Sequence, residues 1–256
     1  MLRKEQILYV DNEIIIINKP VGMLSQKTHR TGNDVLTAVR KYFYSLGSPS
    51  KAYQVHRLDR NTTGCIIVAR NKKTAAQLSK KLRKNKIKKT YRLFVYGKPN
   101  PPAGIYESML VKVAETNHVY SWLENAPESD IPPEVRTLKN HARCARTGYH
   151  ITRRFVKASE CEAVLYTGRP HQIRVHFAAM GYPVIGDRKY GIDILKNSKR
   201  KLIAFSHPAL HASRVEFIHP SSPSHMMIDV SAPLPDDYKE LYPRLGPEKP
   251  FIMTKA

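Results

Sequence analysis

His56-Arg57-Leu58-Asp59-Arg60-Asn61-Thr62-Thr63-Gly64 holds one carboxylate between two arginines. A turn-type run over residues 61–64 follows it, and then an apolar strand over residues 65–69. After Asp59 the next acid is Glu107, and everything between is neutral or basic. A lone acid at the mouth of a basic field suits acid-dependent chemistry on a polyanion. Read alone, the stretch leaves two roles open. Asp59 is either a reactive group or the Asx-turn residue that opens the turn behind it.

Working outward, residues 7–10 and 13–18 read as short strands around an Asp11-Asn12 turn, and Lys19-Pro20-Val21-Gly22 breaks the pattern. Asn33 is placed to N-cap a helix over 34–46, where Val35, Leu36, Val39 and Phe43 give helical spacing. A strongly basic helix is predicted over 72–84, with few apolar positions: Ala75, Ala76 and Leu78. Strands follow at 90–96, with Tyr91, Leu93 and Val95 on one face, and at 105–113. Residues 114–146 are the least patterned. They hold Pro127, Pro132, Pro133 and the acids Glu124, Glu128, Asp130 and Glu134, and read as a loop or insertion.

Strand-type sequence resumes at 149–156 and 159–166. A helix is predicted over 170–180, with Pro170 in its first turn and Gly181 as its cap. Strands at 214–218 and 226–230 precede a Pro-rich tail, residues 233–256, expected on the surface. Many strands with a few helices favour an α+β fold, a mostly antiparallel mixed sheet with flanking helices and loops, over a doubly wound one. No hinge divides the chain cleanly, so 1–256 reads as a single catalytic domain with its core over about 7–230.

Composition narrows the partners. The 256 residues carry a net charge of +22, which favours nucleic acid first and an anionic membrane second. Cys65, Cys144 and Cys161 are widely spaced, which argues against a zinc ribbon and against a disulfide scaffold. No signal peptide is visible and no apolar run approaches about 20 residues. The expected location is the cytoplasm, or an organelle with its own ribosomes if a leader has been removed. There is no phosphate-binding loop, no G-x-S-x-G elbow and no H-E-x-x-H. No cofactor and no metal are expected, and the chain reads as a monomer.

A second cluster is Leu165-Tyr166-Thr167-Gly168-Arg169-Pro170-His171-Gln172-Ile173-Arg174-Val175-His176. Gly168 suits a tight turn, and the helix after it would present its N-terminus to an anion. Together, H-R-L-D-x-x-T-[ST]-G and G-R-x-H-Q-I-R-V-H resemble the RluA-type family of RNA pseudouridine synthases. Three further segments agree, in the family's order. The run Ile14-Ile15-Ile16-Ile17-Asn18-Lys19-Pro20-Val21-Gly22 resembles its N-K-P-x-G motif, Lys89-Thr90-Tyr91 its K-x-Y, and Gly186-Asp187-Arg188-Lys189-Tyr190-Gly191 its G-D-x-x-Y-G.

The resemblance implies a pseudouridine synthase-like fold that acts on uridine in rRNA or tRNA without a cofactor. It implies Asp59 as the catalytic aspartate and Tyr91 as the residue that packs on the target base and acts in proton transfer. It implies Arg174 as the partner of Asp59 that helps hold the flipped nucleotide. The cations Lys80, Lys81, Arg83, Lys84, Lys86, Lys88 and Lys89 are expected to track phosphates, with Arg57, Arg60, Arg169 and His171 as further RNA contacts. His56 reads as structural or RNA-contacting. Pro170 stands where the family commonly has Thr, and the chain has no room for an S4-type domain in front of the first motif. Two rivals remain: an RNA-binding assembly factor that retains the fold without activity, and a membrane-surface protein. The basic helix over 72–84 offers too little apolar surface for the second.

Overall fold

The computed structural model describes residues 2–27, 33–198, 201–222 and 224–250. In chain order the elements are β1 (Ile7–Val10), β2 (Ile14–Lys19), α1 (Val35–Ser45), β3 (Tyr53–Gln54), β4 (Thr63–Ala69), α2 (Lys72–Arg83), β5 (Ile87–Tyr96), β6 (Ala103–Lys112) and β7 (Val119–Trp122). They continue with β8 (Arg143–Phe155), β9 (Ala158–Leu165), α3 (Gln172–Ala179), α4 (Ile192–Asn197), β10 (Leu210–Ile218), β11 (Met227–Ser231), α5 (Asp237–Leu245) and β12 (Glu248–Lys249). The fold class is α+β. The chain forms two compact units, Met1–Tyr91 with Leu210–Asp236, and Arg92–Ala209 with Asp237–Ala256. The sequence reads as one domain because the first boundary falls inside a strand, β5, where no turn or linker marks it.

In the first unit β2 lies between β1 and β4, antiparallel to both, with Ile14 opposite Ala69 and Lys19 opposite Gly64. Ile14, Ile15, Ile16 and Ile17 are all fully buried. A strand covered on both faces needs no alternation, which is why it reads as a continuous apolar run. β10 joins β4 in parallel at His211 and Ala212, and β11 returns antiparallel on β10. Asn71 caps α2 by accepting from Thr74 N at 2.8 Å. Leu78 enters the core of Ile14, Ile16, Ile67, Val215 and Phe217, and Leu82 packs beside it. This anchors the helix while Lys80 and Arg83 stay exposed. In α1 the cap is Asp34, one residue later than expected, and its Oδ1 accepts from Thr37 N at 3.0 Å.

In the second unit β7, β6, β8 and β9 form an antiparallel run in that order, and β12 adds to β8. The stretch 114–146 is more ordered than its composition suggests. It holds β7, 3-10 turns at Glu128–Asp130 and Pro133–His141, and a small core of Val111, Trp122, Ile131, Val135 and Ala142. Its prolines start the 3-10 segments instead of interrupting structure. The tail reading also changes: after Pro233 the chain forms α5, whose Tyr238, Leu241 and Leu245 are buried at helical spacing. Residues 251–256 of that predicted tail lie outside the described residues.

Candidate active site

The Asp59 turn is built by the chain that precedes it. β2 ends on Lys19, whose side chain is fully buried and whose Nζ donates to the carbonyls of Pro20 at 3.0 Å, Met23 at 2.9 Å and Arg60 at 2.9 Å. Gly22 N donates to Arg60 O at 3.0 Å, and Arg60 Nε donates back to Gly22 O at 3.2 Å. On the other side of Asp59, Leu58 N donates to Ser25 Oγ at 2.9 Å and Ser25 Oγ donates to Leu58 O at 2.7 Å. Both neighbours of Asp59 are therefore held through their backbones, and Thr62 N closes the turn on Asp59 O at 3.1 Å. Asp59 itself is half-buried between the exposed Arg57 and Arg60 and the buried Leu58.

The floor beneath the turn needs a glycine. Gly64 has φ +105°, and a Cβ there would lie 2.2 Å from Ala212 O of β10. Only a residue without a side chain lets β4 and β10 approach this closely. Thr63 beside it bonds to His211 Nδ1 at 2.8 Å, and His211 Nε2 meets Ala232 O at 3.1 Å. Nε2 is thus the donor and Nδ1 accepts the Thr63 hydroxyl.

Electrostatics place Asp59 among the buried groups of this unit. Burial pulls the Lys19 ammonium down to about 7, and the Asp59 charge holds it up. Tyr91 is buried on β5, and burial followed by the Asp59 charge raises its phenol well above the usual tyrosine range. A phenol held in its protonated form can donate a hydrogen bond or lend its face. Lys89 lies two residues before Tyr91 and so on the same face of β5. It is half-buried, and burial lowers its ammonium. It differs in this from Lys80, Arg83, Lys84, Lys86 and Lys88, which are exposed, and Lys81 is half-buried. Lys88 pairs with Glu216 at 3.1 Å. His56 accepts from Ile67 N at 3.0 Å through Nε2, and burial first and then Lys89 lower its pKa to about 3.

The second unit organises Arg174. Gln172, buried at the start of α3, accepts from Arg169 N at 3.0 Å and Thr167 Oγ at 2.7 Å. Its amide donates to Arg146 O at 3.0 Å and Thr147 Oγ at 2.9 Å. The helix begins there, not at Pro170. His171 is the N-cap in a left-handed conformation, so Pro170 belongs to the approach and not to the first turn. Arg174 donates to Asp187 through Nε at 2.7 Å and Nη2 at 2.9 Å, a bidentate pair with both groups buried. Asp187 Oδ1 also accepts from Lys189 N at 3.0 Å. The Arg174 guanidinium lies 5.1 Å from the centre of the Tyr190 ring. The Tyr190 hydroxyl meets His171 Nδ1 at 2.6 Å and accepts from Val119 N at 3.0 Å. Arg169 is exposed and donates to Cys144 O at 3.2 Å.

Asp59 and Tyr91 thus share the first unit, and Arg174 belongs to the second. Residue reading from sequence gave no role to Lys19, Ser25, Gln172 or Asp187. The signal for Lys19 was present: a lone lysine closing a run of four isoleucines is a cation entering a core, and such a cation needs several acceptors. Ser25 carried no comparable signal, because it meets Leu58 across 33 residues.

A family model described as RNA pseudouridylate synthase matches residues 13–179. The protein named uncharacterized RNA pseudouridine synthase YhcT, of Bacillus subtilis, is 32% identical over 238 residues, which cover 92% of this chain and 70% of that protein. The ribosomal large subunit pseudouridine synthase D of Xylella fastidiosa is 32% identical over 258 residues, covering 97% and 72% respectively. Among solved structures, human RNA pseudouridylate synthase domain containing 4 superposes with a TM-score of 0.68 at 23% identity, over 93% of this chain and 92% of that one. At that identity the likeness speaks for the fold alone.

Proposed function

We propose that this chain, which belongs to the RluA-type family of RNA pseudouridylate synthases, converts uridine to pseudouridine within ribosomal RNA. Relatives that match almost its whole length are named as synthases of the ribosomal large subunit, which supports rRNA over tRNA. The reaction exchanges the bond from the sugar to N1 for one to C5, and a hydrogen moves from C5 to N1. Atoms and electrons balance within the nucleotide. The protein has to supply position, charge and a reactive group.

The target base is hidden in stacked RNA, so the nucleotide is extruded before reaction. Asp59 is the group that starts glycosidic cleavage, as nucleophile or base toward the sugar. The clamped backbone on either side of Asp59 is the observation that carries this reading. A carboxylate fixed in this way meets its target without reorganising. Tyr91, kept as a phenol, offers a stacking face and a proton to share. Arg174, aligned by Asp187, takes the grip on the flipped nucleotide, and its pairing with Asp59 is part of the proposal.

The test uses purified full-length chain and an unmodified transcript of ribosomal RNA. Asp59→Asn is expected to abolish pseudouridine formation while RNA affinity stays within a few fold. Substantial product from the variant would refute the catalytic assignment.

A further inference from the structure

The first unit carries an open groove of about 580 Å³, away from the Asp59 turn, lined by Arg40, Lys41, Tyr44, Ser45, Pro49 and Ser50. It forms where α1 ends. Phe43 points inward, and the Arg70 guanidinium covers its ring at 4.0 Å. Tyr44, the next residue, is 76% exposed and buries almost nothing in the fold. Arg40 and Lys41 are exposed beside it. The lining contains no acid, and neither does the whole of residues 35–58. The two serines are already engaged locally: Ser45 donates to Tyr42 O at 2.7 Å, and Ser50 accepts from Arg70 Nε at 3.3 Å. What the groove offers a ligand is an aromatic face with two cations one helical turn before it.

We infer that this groove binds a single-stranded segment of the substrate RNA flanking the target uridine, with a base stacked on Tyr44 and its phosphates on Arg40 and Lys41. The inference rests on the function proposed above. The chemistry selects the occupant: a cationic track with an aromatic platform is how proteins hold unpaired nucleic acid without reading its sequence. Position supports it as well. The N-terminus of α1 is tied to the Asp59 region, because Val35 N donates to Leu24 O at 2.9 Å, between the Met23 that Lys19 holds and the Ser25 that holds Leu58. The eleven residues of α1 then carry the chain about 16 Å to the groove. RNA that extends a few nucleotides from the reacting site reaches that far.

The test measures binding of a labelled oligouridine by the full chain across a salt series, alongside pseudouridine yield on an unmodified ribosomal RNA transcript. Tyr44→Ala is expected to weaken oligouridine binding by about fivefold to a hundredfold, the range for loss of one stacked base, and Tyr44→Phe to restore it. The double variant Arg40→Glu, Lys41→Glu is expected to flatten the slope of log affinity against log salt by about one to two. Wild-type affinity and slope in all of these variants would overturn the inference. So would a polyglutamate peptide bound as tightly as oligouridine and lost with Tyr44→Ala, since the occupant would then be an acidic peptide. The yield separates the two claims. An unaltered chain that makes no pseudouridine sinks the proposed function, whereas an active chain indifferent to the groove variants sinks the groove alone.

Discussion

Replacing Lys19 by Met tests how the Asp59 turn is held. The substitution keeps much of the side-chain volume and removes three donors, so the carbonyls of Pro20, Met23 and Arg60 lose their shared partner. Each buried carbonyl left unsatisfied costs about 1–3 kcal/mol. Relief from burying an ammonium offsets part of that sum, which leaves a net loss of about 3–5 kcal/mol. For a chain of this size the melting temperature should fall by about 6–20 °C. Arg60 O keeps Gly22 N, so the turn loosens without unravelling. Turnover should fall by up to about a hundredfold, because a carboxylate displaced by about 1 Å misses its geometry.

A pH series adds a sign. Burial lowers the Lys19 ammonium from 10.5 to about 7, against the pull of Asp59. Between those values the unfolded chain binds more protons than the folded one, so the stability that Lys19 contributes grows as pH rises through that window, by at most about 1.4 kcal/mol per unit. Differential scanning fluorimetry of both proteins at about pH 7.5 and about pH 9.5 should show the gap widening at the higher pH. A Met variant that melts within about 1 °C of the unaltered chain at both values would refute the reasoning.

Two other substitutions probe the remaining supports. Gly64→Ala puts a methyl 2.2 Å from Ala212 O at a φ of +105°; overpacking and strain together should cost about 2–5 kcal/mol, read by urea unfolding. Asp187→Ala leaves the buried Arg174 guanidinium without its fork. A loss of about 3–5 kcal/mol is expected, with faster hydrogen exchange in α3, whereas unchanged exchange there would show that Asp187 does not hold Arg174.

Legibility in the sequence followed how local each signal is. β2 announced itself because its run of four isoleucines is a local, β-branched strand signal, and α2 because its basic run and the apolar positions Ala75, Ala76 and Leu78 are near at hand. The motif around Asp59 pointed to the family through residue types and through distant motifs of matching order. What the sequence hid depends on partners far along the chain. Ser25 matters through Leu58, and Gly64 through Ala212. Asp187 matters through the Arg174 it aligns. The prolines misled twice, over 114–146 and after 233, since composition alone cannot distinguish a proline that starts a packed turn from one that interrupts a helix. The division into two units was invisible because one boundary lies within a single β-strand.

The parallel pairing of β4 with β10 also sets a schedule for synthesis. The bond from Thr63 to His211 closes across 148 residues. On the ribosome, the turn that carries Asp59 and the segment that clamps it emerge early, but their floor does not. The 118 residues between Tyr91 and Leu210 are made first, which takes about 6–24 s at ordinary elongation rates. Throughout that interval the nascent chain exposes the β4 edge that β10 will cover, next to a strongly cationic helix. Asp59 therefore precedes its own foundation, and the unit that holds it is among the last parts of the protein to close.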